Sequence, residues 1–320
     1  MSAALATIEA PALPATVAAE LDAARSFALN EKAEATRRAY RSDFAIFTAW
    51  CRARGLEPLP AASDTVAAFL AAQATEGAKA STIGRKGAAI RYAHKLAGLE
   101  PPTNAETVKA VMRGIRRTIG TAPERKAACT ASRLGAMLAH CPDTLAGRRD
   151  RALLALGFAG AFRRSELVAL TVADLVQVES GLRVLIRRSK TDQEGAGQEI
   201  AIPTGAAVRP VQAVREWLAA AGITSGPVFR PVAKGGKVQA EALTDHSVAA
   251  IVKAYAARAG LDPAEYAGHS LRAGFITSCA EAGAGALKIQ EVSRHKSLDV
   301  LAGYVRRADL FRDHAGADFL

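Results

Sequence analysis

The sequence predicts a mainly α protein, α with a small antiparallel β-sheet, in which a basic helical N-terminal domain precedes a larger mixed α/β domain. Three observations carry that prediction. Apolar residues recur at helical spacing through most of the 320 residues. Two neighbouring stretches, 182–189 and 198–203, read instead as strands with a polar, Gly-containing loop between them. The helical periodicity breaks at "GTAPERKAACTA" (120–131), where Gly, Pro and mixed charge suggest an extended linker. The chain is half hydrophobic, enough for two domains with their own cores.

Residues 1–24 hold Glu9, Glu20 and Asp22 but no Lys or Arg. They lack the basic region of a secretory signal and the arginines of a transit peptide, and a mobile tail is expected there. The first domain, 25–118, should contain four helices. One spans 36–54, capped by Thr36, with Tyr40, Phe44, Phe47 and Cys51 as its inner stripe. The next begins near Ser63 and carries Val66, Phe69, Leu70 and Gln73. A third begins near Ser81, with Ile83, Ile90 and Ala97 inward and Arg85, Lys86, Arg91 and Lys95 outward. A fourth begins near Asn104, with Val108, Val111, Met112 and Ile115. Residues 119–128 form the linker, and 129–320 the second domain. There, "TASRLGAMLAHC", "GRRDRALLALGFAGAF", "AAVRPVQAVREWLAAAG", "LTDHSVAAIVKAYAARAG" (capped by Thr244), "HSLRAGFITSCAEAG" and "ALKIQEVSRH" read as helices. A short helix from Ser297 carries Tyr304, and 308–320 is an apolar-ended tail.

The formal net charge is +11, distributed as −3 over 1–24, +8 over 25–120 and +6 over 121–320. Such a positive field attracts polyanions, although a soluble protein with solvated arginines carries the same count. Helix starts with free N–H groups and hydroxyls suit phosphate contacts. The residues expected to touch nucleic acid are Arg37, Arg41, Ser81, Thr82, Arg85, Lys86, Arg91, Arg116 and His246. Each also has a plain reading as cap or surface. The four cysteines form no CxxC pair and the six histidines no HxxxH, so no metal site and no cofactor is expected. Scattered thiols fit a reducing compartment. No run approaches the ~20 apolar residues that span a bilayer. A cytoplasmic, nucleoid-associated protein is expected.

Four segments could carry chemistry: "GAFRRSELVAL", "RRSKTDQEG", "HSLR" and "SRHKSLDVLAGY". Taken singly, each is ordinary: surface arginines, a hairpin lysine, a solvated His–Arg pair, a packed tyrosine. Taken together they supply what a phosphodiester displacement needs. A tyrosine can form a covalent phosphate ester. Two guanidiniums give bidentate, permanently charged contacts to the transition state. A lysine or histidine can move the proton. No acidic cluster of the kind that holds Mg²⁺ accompanies them.

The order Arg, Lys, HxxR, His, Tyr resembles the tyrosine recombinases, or phage integrase family, over nearly the whole chain. The basic helical region is similar to that family's SAM-like core-binding domain. "TAWCRARG" and "VMRGIRR" look closer to its Cre-like branch than to integrases with an extra arm-binding domain. The resemblance implies that Arg163 and Arg272 hold the scissile phosphate and that Lys190 protonates the leaving 5′-oxygen. It also implies that His269 relays the tyrosine proton, that His295 hydrogen-bonds a non-bridging oxygen, and that Tyr304 attacks. Glu166 would orient an arginine. Arg163, three residues before Glu166, fits the family spacing; Arg164 is the fallback. The implied partner is double-stranded DNA bearing target sites, bound by a homotetramer on two sites that is a monomer or dimer off DNA, with 308–320 docking on a neighbouring protomer. Two departures stand out. Arg294 occupies a position where the family usually has Gly, and Phe162 one where it often has Leu. Three other readings remain beside this one: a DNA-binding regulator on the same scaffold that no longer cuts, a type IB topoisomerase or telomere resolvase, and a basic helical protein with no nucleic-acid role.

Overall fold

The computed structural model describes residues 17–29, 31–122, 126–189, 192, 195–298 and 301–304. Lys190 and the tail 308–320 lie outside the described residues. The chain divides into two compact units, Met1–Pro123 and Glu124–Leu320.

The first unit is helical: α1 (Ala18–Leu29), α2 (Glu34–Arg52), α3 (Ser63–Thr75), α4 (Ala80–Leu96) and α5 (Glu106–Ile119). Its core is Phe47, Cys51, Val66, Phe69, Leu70, Ile83, Ile90, Val108 and Ile115, drawn from the stripes of α2 to α5. Phe47 and Trp50 both meet the ring of Phe69 edge-on, at centroid distances of 5.0 and 5.5 Å.

Four expectations are corrected here. Residues 18–24 belong to helix α1, not to a tail. Helix α2 starts two residues before Thr36, whose N–H already donates to the Ala33 carbonyl at 2.9 Å; the backbone of Ala33 closes the first turn. Ala97 is the exposed C-cap of α4, and the inward place goes to His94. His94 is fully buried because both its ring nitrogens find partners, the Ala61 N–H at 2.9 Å and the Ile90 carbonyl at 2.8 Å. Lys86, expected to face outward, is 8% exposed. Its ammonium donates to Gln73 Oε1 and lies 5.7 Å from the centre of the Phe69 ring, so a satisfied polar head sits inside the bundle.

The second unit contains α6 (Ala131–Ala139), α7 (Leu145–Ala159), α8 (Arg164–Ala169), α9 (Pro210–Ala220), α10 (Asp245–Arg258), α11 (Ser270–Glu281) and α12 (Ala286–Ser293). Its three-stranded antiparallel sheet has the order β1 (Leu175–Val178), β2 (Gly181–Ile186), β3 (Gln198–Pro203). In β2 and β3, Leu182, Val184, Ile186, Ile200 and Ile202 point to the core, while Arg183, Leu185, Glu199 and Ala201 beside them are exposed. Thr244 caps α10, accepting from the Ser247 N–H at 3.2 Å. Helix α7 is buried almost throughout from Ala152 to Phe158 and sits at the centre of this core. Helix α11 lies against the segment entering the unit. The Cys129 N–H donates to the Ser270 carbonyl at 2.9 Å, and a Cβ on Gly274 would fall 1.7 Å from the Cys129 carbonyl oxygen. Residues 301–304 are helical.

Candidate active site

The site begins where the apolar α7 stops. Its end is a tight reversal at Gly160 and Ala161. Gly160 leaves room for the ring of Phe162, 2.2 Å from where a Cβ would stand, and Ala161 takes a left-handed φ of 45°. The reversal delivers Arg163 to the N-cap of α8. Glu166, one turn into α8, reaches back: its Oε2 accepts the Arg163 backbone N–H at 3.0 Å, and its Oε1 accepts Arg163 Nη1 at 2.5 Å. Arg164 points elsewhere, 3.8 Å from Asp245 on α10 and packed over Gly268. That leaves Arg163, not the fallback, in the cluster.

Helix α11 brings Arg272 to the same place. Its side chain is 1% exposed, and Nη1 donates to the Ala161 carbonyl at 2.7 Å. Nη2 lies 3.3 and 3.4 Å from the two ring nitrogens of His295. The His295 ring is also held by Ser293 Oγ, 2.9 Å from Nδ1, and its backbone carbonyl accepts from Gln290 Nε2 at 2.8 Å. His269, exposed at the N-cap of α11, is near enough to add to the positive potential on His295. Tyr304 is half-buried beside Ile276, Ala280, Ile289 and Leu301, near enough to Arg272 to interact with it electrostatically.

Electrostatically the cluster holds more cation than anion. Burial, then the charges of Arg163 and Arg294, push Arg272 down to about 9, which leaves it charged at neutral pH. Burial, then Arg272, Arg163, His269 and Arg294, push His295 down to about 4, so its imidazole is neutral. Burial works to raise Glu166, but the charge of Arg294 and the hydrogen bonds and charge of Arg163 outweigh it and hold the carboxyl below its ordinary range. Three guanidiniums against one carboxylate is a site ready for an anion. Beside it, a cleft of about 420 Å³ is lined in part by Ser189, Asp192, Gln290, Arg294, His295 and Lys296. No group of three His, Cys, Asp or Glu side chains among the described residues is arranged as a metal site.

A family model described as "Phage integrase family" matches residues 128–310. A second, "Phage integrase, N-terminal SAM-like domain", matches residues 25–100. The chain belongs to the phage integrase family. Its enzyme class is accordingly that of the tyrosine recombinases. Relatives within the phage integrase family include the "Integrase/recombinase xerD homolog" of Selenomonas ruminantium, 40% identical over 291 residues that cover 89% of this chain and 85% of that one. "Recombinase cre" of Escherichia phage P1 is 25% identical over 282 residues, covering 82% and 81%. Among solved structures, a lambda integrase dimer bound to a COC′ core site is similar with a TM-score of 0.60 at 19% identity, covering 90% of this chain and 76% of that one. The Tn1549 transposon integrase in complex with transposon right-end DNA is similar with a TM-score of 0.60 at 15% identity, covering 90% and 96%. At such identities these two structures speak for the integrase fold alone.

Within this phage integrase fold, the structure brings Arg163, Glu166, Arg272 and His295 into one bonded cluster, with His269 and Tyr304 at its edge. The residue underweighted in the sequence is Arg294. It is 6% exposed, and its Nη2 donates to Glu166 Oε2 at 2.9 Å. The signal was there: one acid, Glu166, faced an arginine excess, and a family glycine position held one more. The carbonyls of Gly160 and Ala161 have no comparable sequence signal. The residues expected at nucleic acid are scattered. Arg37 and Arg41 line a cleft of about 980 Å³ between α2 and α4, with Tyr40, Thr48 and Tyr92. Arg91 and Arg116 line another of about 490 Å³ between α4 and α5. Ser81 is exposed and Thr82 half-buried in the first turn of α4, and His246 is exposed in the first turn of α10. Arg85 is engaged, forking onto the buried Asp43 through Nε at 2.7 Å and Nη2 at 3.2 Å. Lys86, inside the bundle, drops out as a contact.

Proposed function

We propose that this chain is a site-specific DNA recombinase that cuts and rejoins duplex DNA through a 3′-phosphotyrosine on Tyr304, without metal or ATP. The observation that carries the reading is the cluster of guanidiniums, Arg272 and Arg294 buried and Arg163 half-buried, exceeding its one carboxylate, with a phenol at its rim. A phosphodiester entering the cleft supplies the missing negative charge. Arg163 and Arg272 hold its non-bridging oxygens, and a neutral His295 donates one N–H to another. The Tyr304 oxygen attacks phosphorus and its proton passes to His269. The bond to the 5′-oxygen breaks, and Lys190 protonates that oxygen as it leaves. One phosphate ester replaces another, so the reverse attack by a 5′-hydroxyl rejoins the strand with no external energy.

In this reading the working assembly is a homotetramer on two DNA sites, monomeric or dimeric off DNA, in the cytoplasm at the nucleoid. Among the described residues no helix is long and apolar enough to cross a membrane. The test uses a duplex selected by this protein from a random-sequence pool and nicked so that the cut strand escapes. Wild-type protein should form an SDS-stable adduct in EDTA. Tyr304→Phe should form none while its gel-shift affinity stays within about threefold, since phosphate contacts carry most of the binding. An adduct surviving in Tyr304→Phe names a different nucleophile. Wild-type binding with no adduct favours the silent regulator.

A further inference from the structure

Arg294 occupies a backbone position that favours glycine, φ 56° and ψ 40°, at the C-cap of α12. An arginine kept there must contribute through its side chain. That side chain runs inward and ties three elements together. Nη1 donates to the carbonyls of Gly160 at 2.9 Å and Val292 at 2.6 Å. Nη2 donates to the Ala161 carbonyl at 3.1 Å and to Glu166 Oε2 at 2.9 Å. The guanidinium also lies 5.3 Å from the centre of the Phe162 ring. The Ala161 carbonyl is thus shared by Arg294 and Arg272, and the Glu166 carboxylate by Arg294 and Arg163. The next residue in the chain is His295.

We propose that Arg294 is a positioning residue for the cleavage step: its guanidinium, bridging Glu166 and the Gly160–Ala161 turn, fixes the 294–295 segment so that His295 is held against Arg272. The assignment rests on the DNA-cleaving function proposed above. It explains why the glycine position carries a long cation. Glycine would suit the backbone but would leave one Glu166 oxygen and the reversal's carbonyls without this partner. Arg294 borders the cleft but acts on the phosphate through its neighbours, because it is 6% exposed and its terminal nitrogens are engaged by those acceptors.

Three readouts test it: the single-turnover rate of adduct formation on the nicked, pool-selected duplex, the affinity for that duplex, and the NMR titration of the His295 ring in the DNA-free protein. Arg294→Gly relaxes the backbone, so the fold should persist. It should slow adduct formation on the order of 10- to 100-fold, as small misplacements of a reacting group do. Affinity should stay within about threefold, because the phosphate-facing cations remain. His295 still faces Arg272 and His269 on α11 and Arg163 before α8. Arg294's charge is the least of the causes that lower its midpoint, behind burial, Arg272, Arg163 and His269, so in Arg294→Gly the midpoint should rise only modestly above about 4, as the unclamped ring gains water. Arg294→Lys keeps the charge but lacks the fork, and should recover only part of the rate. Wild-type cleavage by Arg294→Gly, or an unmoved His295 midpoint, overturns the proposal. So does a loss of affinity that matches the loss of rate. If wild-type protein forms no adduct, the functional reading fails, and the His295 midpoint of Arg294→Lys decides whether Arg294 positions the ring: the lysine keeps the charge, so a rise there reports the lost clamp and no rise overturns the proposal.

Discussion

Residues that look alike in sequence are put to opposite uses. Lys86 and Arg91 both read as outward cations of one helix, yet Lys86 is in the core and Arg91 is exposed. The difference lies in what each meets. Gln73 on α3 offers Lys86 an acceptor inside the bundle, and Gln73 itself donates to Glu76 at 2.8 Å. Periodicity along one helix reveals which positions face a neighbour. It does not reveal that a neighbour holds a polar partner, so the burial of Lys86 and the pairing of Arg85 with Asp43 were illegible. Lys86→Ala strands Gln73 Oε1 and opens space beside Phe69. It should lower the stability of the first unit by about 1–3 kcal/mol in denaturant titrations. At the site, the sequence order picked out Arg163, Glu166, Arg272 and His295, and they lie together because their spacing matches element ends. The choice between Arg163 and Arg164 is visible in space as well, since only one of them meets Glu166.

At the level of elements, the strong periodicities became helices and the weak ones shifted. Strand β1 escaped notice because Leu175–Val178 is short and has no clean alternation; its middle residues are exposed and only its ends are half-buried. It exists because β2 offers an edge, pairing Leu175 with Val184. The start of α2 moved because a backbone carbonyl, not a hydroxyl, closes its first turn. The packing of α11 against Cys129 is an element-level contact that periodicity cannot supply. Gly274 makes it possible. The Cβ of Gly274→Ala would strike backbone, the Cys129 carbonyl oxygen, which cannot rotate away as a side-chain tip can. The substitution should cost about 3 kcal/mol, at the upper end for overpacking. A thermal scan should show the midpoint of the second unit lower by on the order of 10 °C. Because Arg272 stands two residues before Gly274, adduct formation should fall as well. A wild-type midpoint would mean that the entering segment yields freely.

For the whole molecule, charge is the property that composition states correctly. A net +11, concentrated away from the first 24 residues, predicts binding that weakens steeply with salt as phosphate contacts release counterions. On a 30-base-pair duplex, log K should fall linearly with log salt, and Arg91→Ala and Arg116→Ala should each reduce the slope by about 1. Lys86→Ala should leave the slope unchanged, separating a solvated cation from a buried one in a single experiment. Equal slopes for all the variants would remove the α4–α5 cleft from the DNA-facing surface. The division of the chain was legible because Gly, Pro and charge cluster between two periodic regions. The function was legible because its chemistry needs several residue types in a fixed order, a demand that chance rarely meets.

The β2–β3 connection carries one more consequence. Asp192 accepts the backbone N–H groups of Gly195, Ala196 and Gly197 at 3.1, 3.1 and 2.9 Å, and these bonds, that of Gly197 foremost, hold its carboxyl below the usual range. Three convergent amides of this kind form a nest of the sort that elsewhere captures phosphate. Here the nest is already filled by the chain's own carboxylate. This nest is therefore closed to a second anion: among the described residues of the connection, the chain's own carboxylate holds the place that a phosphate would take.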